Sequence, residues 1–273
     1  MALKRLDLRG LSDRLDEVLP RPESVPQDLT DVVAAIVARV RAEGDQAVLD
    51  FTASFDGVVV DRLAVTADEV AVALRAVPAP LRSALEVAHG RIAAYHERDR
   101  AGDRELVSDG VVVTDLVRPL HRVGCYAPGG LARYPSTVLM CATPARVAGV
   151  DEVILCVPPG ADGRIDDATL AAAAIAGVDE VYRVGGAQAV AAMAYGTESI
   201  RPVDAIVGPG NRYVAEAMRQ VSGVVGTPAG FAGPSEVLVV AGPETPPAFA
   251  AIDLAVQAEH GPDGLSWLVS WDA

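Results

Sequence analysis

Apolar residues fall at three- and four-residue steps early in the chain. From Asp28 onward, Val33, Ile36, Val37 and Val40 mark one face of a helix, and Gly44 offers a stop. A second helix runs through Ala47 to Phe51 and gives way to a turn at Asp56 and Gly57. Thr66 followed by Glu69 has capping-box spacing, which predicts a helix start ahead of Val70, Leu74 and Val77, with Pro78 and Pro80 ending that helix. A further amphipathic helix, from Leu81 to about Asp99, would put Leu85, Ala88, Ile92 and Tyr95 on one face. The residues before it all, 1–27, are polar and broken by Pro20, Pro22 and Pro26, so they read as an arm that docks elsewhere.

The texture changes near Val111, where VVVTDLV is an extended run followed by short aliphatic segments, glycines and short helices. The motif AGVDEV occurs at 148–153 and again at 176–181. Each copy follows a helix that ends in glycine and precedes an apolar strand, VILCV and then VYRV. A third version, VDAIVGPG at 203–210, keeps the strand and the turn. That interval is one βα unit, so the expected fold class is α/β: Rossmann-like parallel sheet units with right-handed crossovers, behind a helical N-terminal region. Ligands then bind at the carboxyl ends of the strands, at 158–160, 185–188 and 208–211.

Composition narrows the class. Half of the 273 residues are hydrophobic (51%) and only 4% are aromatic, which calls for an aliphatic core and excludes a disordered chain. A formal charge of −14 opposes a phosphate backbone and argues against nucleic acid. Cys125, Cys141 and Cys156 have no CxxC spacing, so a reducing compartment is expected. Charges in MALKRLDLRG exclude a signal peptide there, and apolar runs such as 170–178 are too short for a bilayer. A cytoplasmic protein without a membrane partner is expected.

Three glycine turns, YAPGG (126–130), VGGAQA (184–189) and VGPGN (207–211), could bring backbone amides against an anionic or planar ligand. None fits GxGxxG, so structural turns and a nucleotide site both remain open, with Gln188 and Asn211 able to fix a ribose or carboxamide. Ser235 and Glu236 lie between a glycine turn and an aliphatic strand; with no GxSxG elbow, acyl transfer is excluded. Gln257 and His260 are three residues apart on a helix beginning near Pro247 and stopping at Gly261 and Pro262. They read either as a solvated helix end or as an amide oxygen and a ring nitrogen for a metal, though two ligands do not complete a zinc site. His89 and His96 read as exposed helix residues, and His121 has no assigned role.

In order and spacing, VGCYAPGGLARYPSTVLM, PARVAGVDEV, AGVDEVYRVGGAQAVAAMAYGTESI, VDAIVGPGNRYVAEA, FAGPSEVLVVA and QAEHGPD together resemble the histidinol dehydrogenases from about Val123 to Asp263. The resemblance implies an enzyme using Zn2+ and NAD that oxidises L-histidinol to L-histidine with two NAD, in histidine biosynthesis, as an intertwined homodimer. It implies NAD contacts at Tyr126, Gln188 and Asn211, zinc ligands at Gln257 and His260, and substrate contacts at Ser235, Gln257 and His260. It divides the chain into 28–119 with 236–273 as a first, incomplete α/β domain and 120–235 as the NAD-binding one. The family's Glu–His base pair, and the Asp and His that complete its zinc sphere, fall beyond residue 273. No catalytic residue is therefore expected in this stretch, which alone would bind zinc weakly and turn over little. The segment VGTPAGF (225–231) departs from the family's pattern and leaves room for another amino alcohol or polyol as substrate. A noncatalytic nucleotide-binding or dimerisation module is the competing class.

Overall fold

A computed structural model describes residues 4–9, 15–19, 27–129, 133–228, 236–258 and 265–271. A short helix α1 (Leu15–Val18) precedes α2 (Gln27–Glu43), α3 (Asp45–Phe55), the two-residue strand β1 (Ala64–Val65), α4 (Ala67–Ala76) and α5 (Ala79–Arg98). The hairpin β2 (Arg104–Ser108) and β3 (Val111–Asp115) follows. Strands and helices then alternate: β4 (Arg122–Tyr126), α6 (Pro135–Val147), β5 (Glu152–Val157), α7 (Asp167–Ala176), β6 (Glu180–Arg183), α8 (Gly186–Tyr195), β7 (Ala205–Val207) and α9 (Arg212–Val221). The last elements are β8 (Glu236–Ala241), α10 (Pro247–Ala258) and β9 (Leu265–Ser270).

The repeated AGVDEV segments feed β5 and β6, and VDAIVGPG supplies β7, as the spacing predicts. The main sheet has the order β1-β6-β5-β4-β7, with β4 to β7 mutually parallel and β1 antiparallel at the edge. Strands buried on both faces explain why the segments read as near-continuous aliphatic runs. Alternation decides which core each residue enters. Tyr126, Ile154, Cys156 and Tyr182 face α2, α3, α8 and α9, whereas Val123, Cys125, Leu155 and Val181 face α4 to α7. The N-terminal helices pack on the helix layers of both faces, α2 and α3 on α8 and α9, and α4 and α5 on α6 and α7, and the backbone N–H of Arg183 donates to the Leu63 carbonyl at 2.8 Å.

Val33, Ile36, Val37 and Val40 are all buried, as their period requires. Two expectations need correction. Pro80 starts α5 instead of closing α4, because a proline in the first helical turn gives up an N–H that has no partner there. On α5, Leu85 is buried while Tyr95 is 57% exposed, so the apolar face ends near Ile92. The extended run at Val111 is present as predicted: it forms β3, one arm of an exposed hairpin, ahead of the parallel sheet that begins at Arg122. Among the described residues no helix is long and apolar enough to cross a membrane.

The predicted capping box is present: Glu69 N–H donates to the Thr66 hydroxyl, and the Glu69 carboxylate accepts from Thr66 N–H at 2.9 Å. The same carboxylate accepts from Arg183 at 2.6 Å, tying α4 to β6. Burial raises the Glu69 pKa, but the Thr66 bonds and Arg183 outweigh it and hold the carboxyl at about 2, below its usual 4.5. A folded-state pKa below the unfolded one gives stability that is complete above the ordinary carboxyl range and lost as pH falls toward 2. Glu69→Gln keeps the cap but leaves the mostly buried Arg183 without that counterion. Urea unfolding should show a loss of about 1–2 kcal/mol at pH 7, and the gap from the parent chain should narrow steadily below pH 4.5.

Candidate functional site

The sheet changes winding direction between β4 and β7: from β4 the chain crosses over through α6 to β5 and through α7 to β6, while β7 lies on the other side. Carboxyl ends of strands at such a switch point open a crevice for a ligand. Tyr126 is the last residue of β4, and Gly208 directly follows β7. The two are pressed together. A Cβ at Gly208 would lie 2.0 Å from the Tyr126 carbonyl oxygen, and Gly208 has φ +127, so both space and backbone conformation require glycine. At the neighbouring turn, a Cβ on Gly185 would lie 2.6 Å from Pro158 Cβ, which brings the end of β6 against the end of β5. Two of the predicted turns are therefore close approaches of backbone that a side chain would prevent.

The Tyr126 hydroxyl accepts a hydrogen bond from the Gly186 N–H at 3.2 Å, at the start of α8. Burial pushes the phenol up to about 12, against the pull of that N–H, so it stays neutral. In the first turn of α8, Gln188 is 1% exposed and its Oε1 accepts no hydrogen bond from any described residue. A buried amide oxygen without a partner costs about 1–3 kcal/mol, so this atom marks a place where a ligand's donor fits. Asn211 caps α9; its Oδ1 accepts from Tyr213 N–H at 3.0 Å and Val214 N–H at 3.1 Å. With that oxygen engaged, the amide offers a ligand its NH2 group. The turns thus combine an acceptor in Gln188, a donor in Asn211 and the neutral phenol of Tyr126. These suit the hydroxyls and carboxamide of a nicotinamide dinucleotide.

Beside this switch point, over the ends of β4 and β5, lies an open cleft of about 630 Å3 lined in part by Phe55, Asp56, Pro128, Gly129, Arg133 and Pro158. Sequence reasoning missed most of this lining. Asp56 next to Gly57 has the signature of a plain turn, and nothing in its neighbours shows that its carboxyl is drawn inward.

Gln257 is half-buried in the last turn of α10. Ser235 and His260 lie outside the described residues. Among those described, no group of three or more His, Cys, Asp or Glu could hold a metal. His89, expected to be exposed, is half-buried with Nδ1 3.0 Å from the Thr143 hydroxyl, and His96 is half-buried beside the Tyr95 ring. Burial raises the Cys125, Cys141 and Cys156 thiols, which leaves them as packing residues.

The family model described as histidinol dehydrogenase matches residues 19–273. Histidinol dehydrogenase of Pseudomonas aeruginosa is 51% identical over 255 residues, covering 92% of this chain and 57% of the relative. That of Xanthomonas axonopodis pv. citri is 48% identical over 260 residues, covering 93% and 60%. The crystal structure of histidinol dehydrogenase from Elizabethkingia anophelis superposes with a TM-score of 0.85 at 36% identity, covering 94% of this chain and 60% of that one. The chain belongs to the histidinol dehydrogenase family, and it spans about three-fifths of the length of these relatives.

Replacing Gln188 with Leu separates stability from binding. Removal of the unpartnered oxygen should leave the chain as resistant to urea as before, or about 1 kcal/mol more so. Titration followed by NADH fluorescence should show at least about tenfold weaker binding.

Proposed function

We propose that the protein oxidises L-histidinol to L-histidine through histidinal, passing one hydride to NAD in each of two steps, within histidine biosynthesis. The observation that carries this reading is the buried Gln188 Oε1, without a hydrogen-bond partner among the described residues, in the α8 turn whose Gly186 N–H bonds Tyr126 at the β4–β7 switch point, in a chain of this family. Gln188, Tyr126 and Asn211 would bind the dinucleotide and orient it. The switch-point turns give its backbone close access because Gly208 and Gly185 carry no side chain. When bound, NAD takes up the hydride and Zn2+ holds the substrate's polar groups.

The zinc part of the reading rests on the QAEHGPD segment and on donor chemistry: the His260 imidazole and the Gln257 amide oxygen are both acceptable zinc donors. Those two residues and Ser235 would contact the amino alcohol. Gln257 and His260 are a partial zinc set, and no residue of 1–273 is assigned as the general base. We place 28–119 with 236–273 in a first α/β unit and 120–235 in the dinucleotide-binding one. The N-terminal helices already pack against the latter here.

We assign the protein to a homodimer working in the cytoplasm, where three free cysteines are tolerated. Its apolar surfaces support the dimer. Leu106, Val107 and Val111 to Val113 stand exposed on the hairpin, and Leu238, Phe249, Ile252 and Trp271 on the β8-α10-β9 unit. Surfaces of this kind are normally covered.

Two measurements test the reading. With the sequence extended to a family-length C-terminus, L-histidinol should yield NADH and outcompete a panel of other amino alcohols and polyols; no NADH from histidinol would reject the substrate assignment. Zinc content by atomic absorption should fall from stoichiometric to near zero in His260→Ala and in Gln257→Ala. Unchanged zinc in both variants would remove these residues from the ligand set.

A further inference from the structure

Asp56 closes α3, where its backbone N–H donates to the Thr52 carbonyl at 3.0 Å. A carboxylate is poorly placed at a helix C-terminus, because the last carbonyls already concentrate negative charge there. Its Oδ2 is buried and accepts no hydrogen bond from any described residue. Burial raises its pKa. It also lines the cleft over the ends of β4 and β5. A side chain so unfavourable to the empty fold is understandable if a ligand's donors complete it.

The sequence of β5 says which donors. In a dinucleotide site of the usual kind, an acid at the end of the second strand accepts from the adenosine ribose hydroxyls. Here that strand end reads Val157, Pro158, Pro159, with neither an acid nor a polar side chain. Of the carboxylates lining the cleft, those after β5 are engaged: Asp162 accepts from the Arg164 N–H, Asp166 accepts from the Ala168 N–H and pairs with Arg133, and Asp167 lies 4.0 Å from Arg164, which leaves Asp56 of the α3 end as the one with a buried oxygen that no described residue satisfies.

We propose that Asp56 is the residue that accepts hydrogen bonds from the adenosine-side ribose of the dinucleotide, and that it selects NAD over NADP. Diol hydroxyls donate to a carboxylate, whereas a 2′-phosphate would bring like charge against a buried acid. The inference rests on the proposed use of NAD and adds the residue that reads the ribose.

The test is equilibrium titration of the whole chain with NADH and NADPH by fluorescence, and with ADP-ribose and nicotinamide mononucleotide by calorimetry. The unmodified chain should prefer NADH. Asp56→Asn should bind NADH and ADP-ribose at least about tenfold more weakly, bind nicotinamide mononucleotide unchanged, and lose most of the preference over NADPH. Asp56→Glu retains the charge and should keep the preference, which guards against an Asn variant that folds poorly. NADH binding by the unmodified chain with unaltered affinities in both variants would overturn the Asp56 role alone. A loss confined to nicotinamide mononucleotide would also overturn it. Failure of the unmodified chain to bind NADH at all would overturn both this role and the NAD reading beneath it.

Discussion

The sheet is organised by a buried guanidinium. Arg122 opens β4 with its side chain only 5% exposed, and it pairs with Glu152 and Glu180, the first residues of β5 and β6. A charge withdrawn from water must be paired, and separating it from one partner costs several kcal/mol. These pairs therefore hold three parallel strands in one register. Arg201 adds an outer contact to both glutamates, and Asp204, just before β7, accepts from the backbone N–H groups of His121 and Arg122. Charges gather at the amino edge of the sheet. At the carboxyl edge, glycine and proline set the turns, and the charged groups, Asp56 and Arg133 among them, line an open cleft instead of a buried cluster.

This division of labour gives the site its character. At the carboxyl edge the strand ends are held by close approach: Gly208 against the Tyr126 carbonyl and Gly185 against Pro158. At the same edge lie two buried polar atoms that no described residue satisfies, Gln188 Oε1 and Asp56 Oδ2. Their cost is borne by the rest of the fold, as is common where a binding site must stay ready for its ligand. The glycine fingerprint of ordinary dinucleotide folds is replaced here by turns that achieve the same backbone access from different positions.

The β8-α10-β9 unit has a different standing. Its parallel strands pair in register from Glu236 opposite Leu265 to Ala241 opposite Ser270. β8 alternates between exposed and half-covered residues, and β9 does so from Leu265 to Leu268 before ending exposed, a pattern far from the doubly buried strands of the main sheet. A parallel pair is normally stable only with both faces covered. Leu238, Val240 and Leu268 stand exposed, so among the described residues this pair lacks the cover that the main sheet has on both faces.

The sequence by itself determined the periodic elements: the α2 face, the Thr66–Glu69 cap, and the repeated βα units that set the class and the order of β5 to β7. Each is local, a matter of which residues recur at 3.6 or 2 positions and which residue can cap or turn. The six motif blocks likewise carried the family. What only the tertiary structure decided was which residues share a space. The role of Pro80 depended on where α5 begins. The exposure of the Val111 hairpin depended on what fails to cover it, and the inward position of Asp56 depended on an α3 that ends beside β4. Burial and orphaned hydrogen bonds belong to pairs of segments far apart in the chain, so periodicity along the chain cannot encode them.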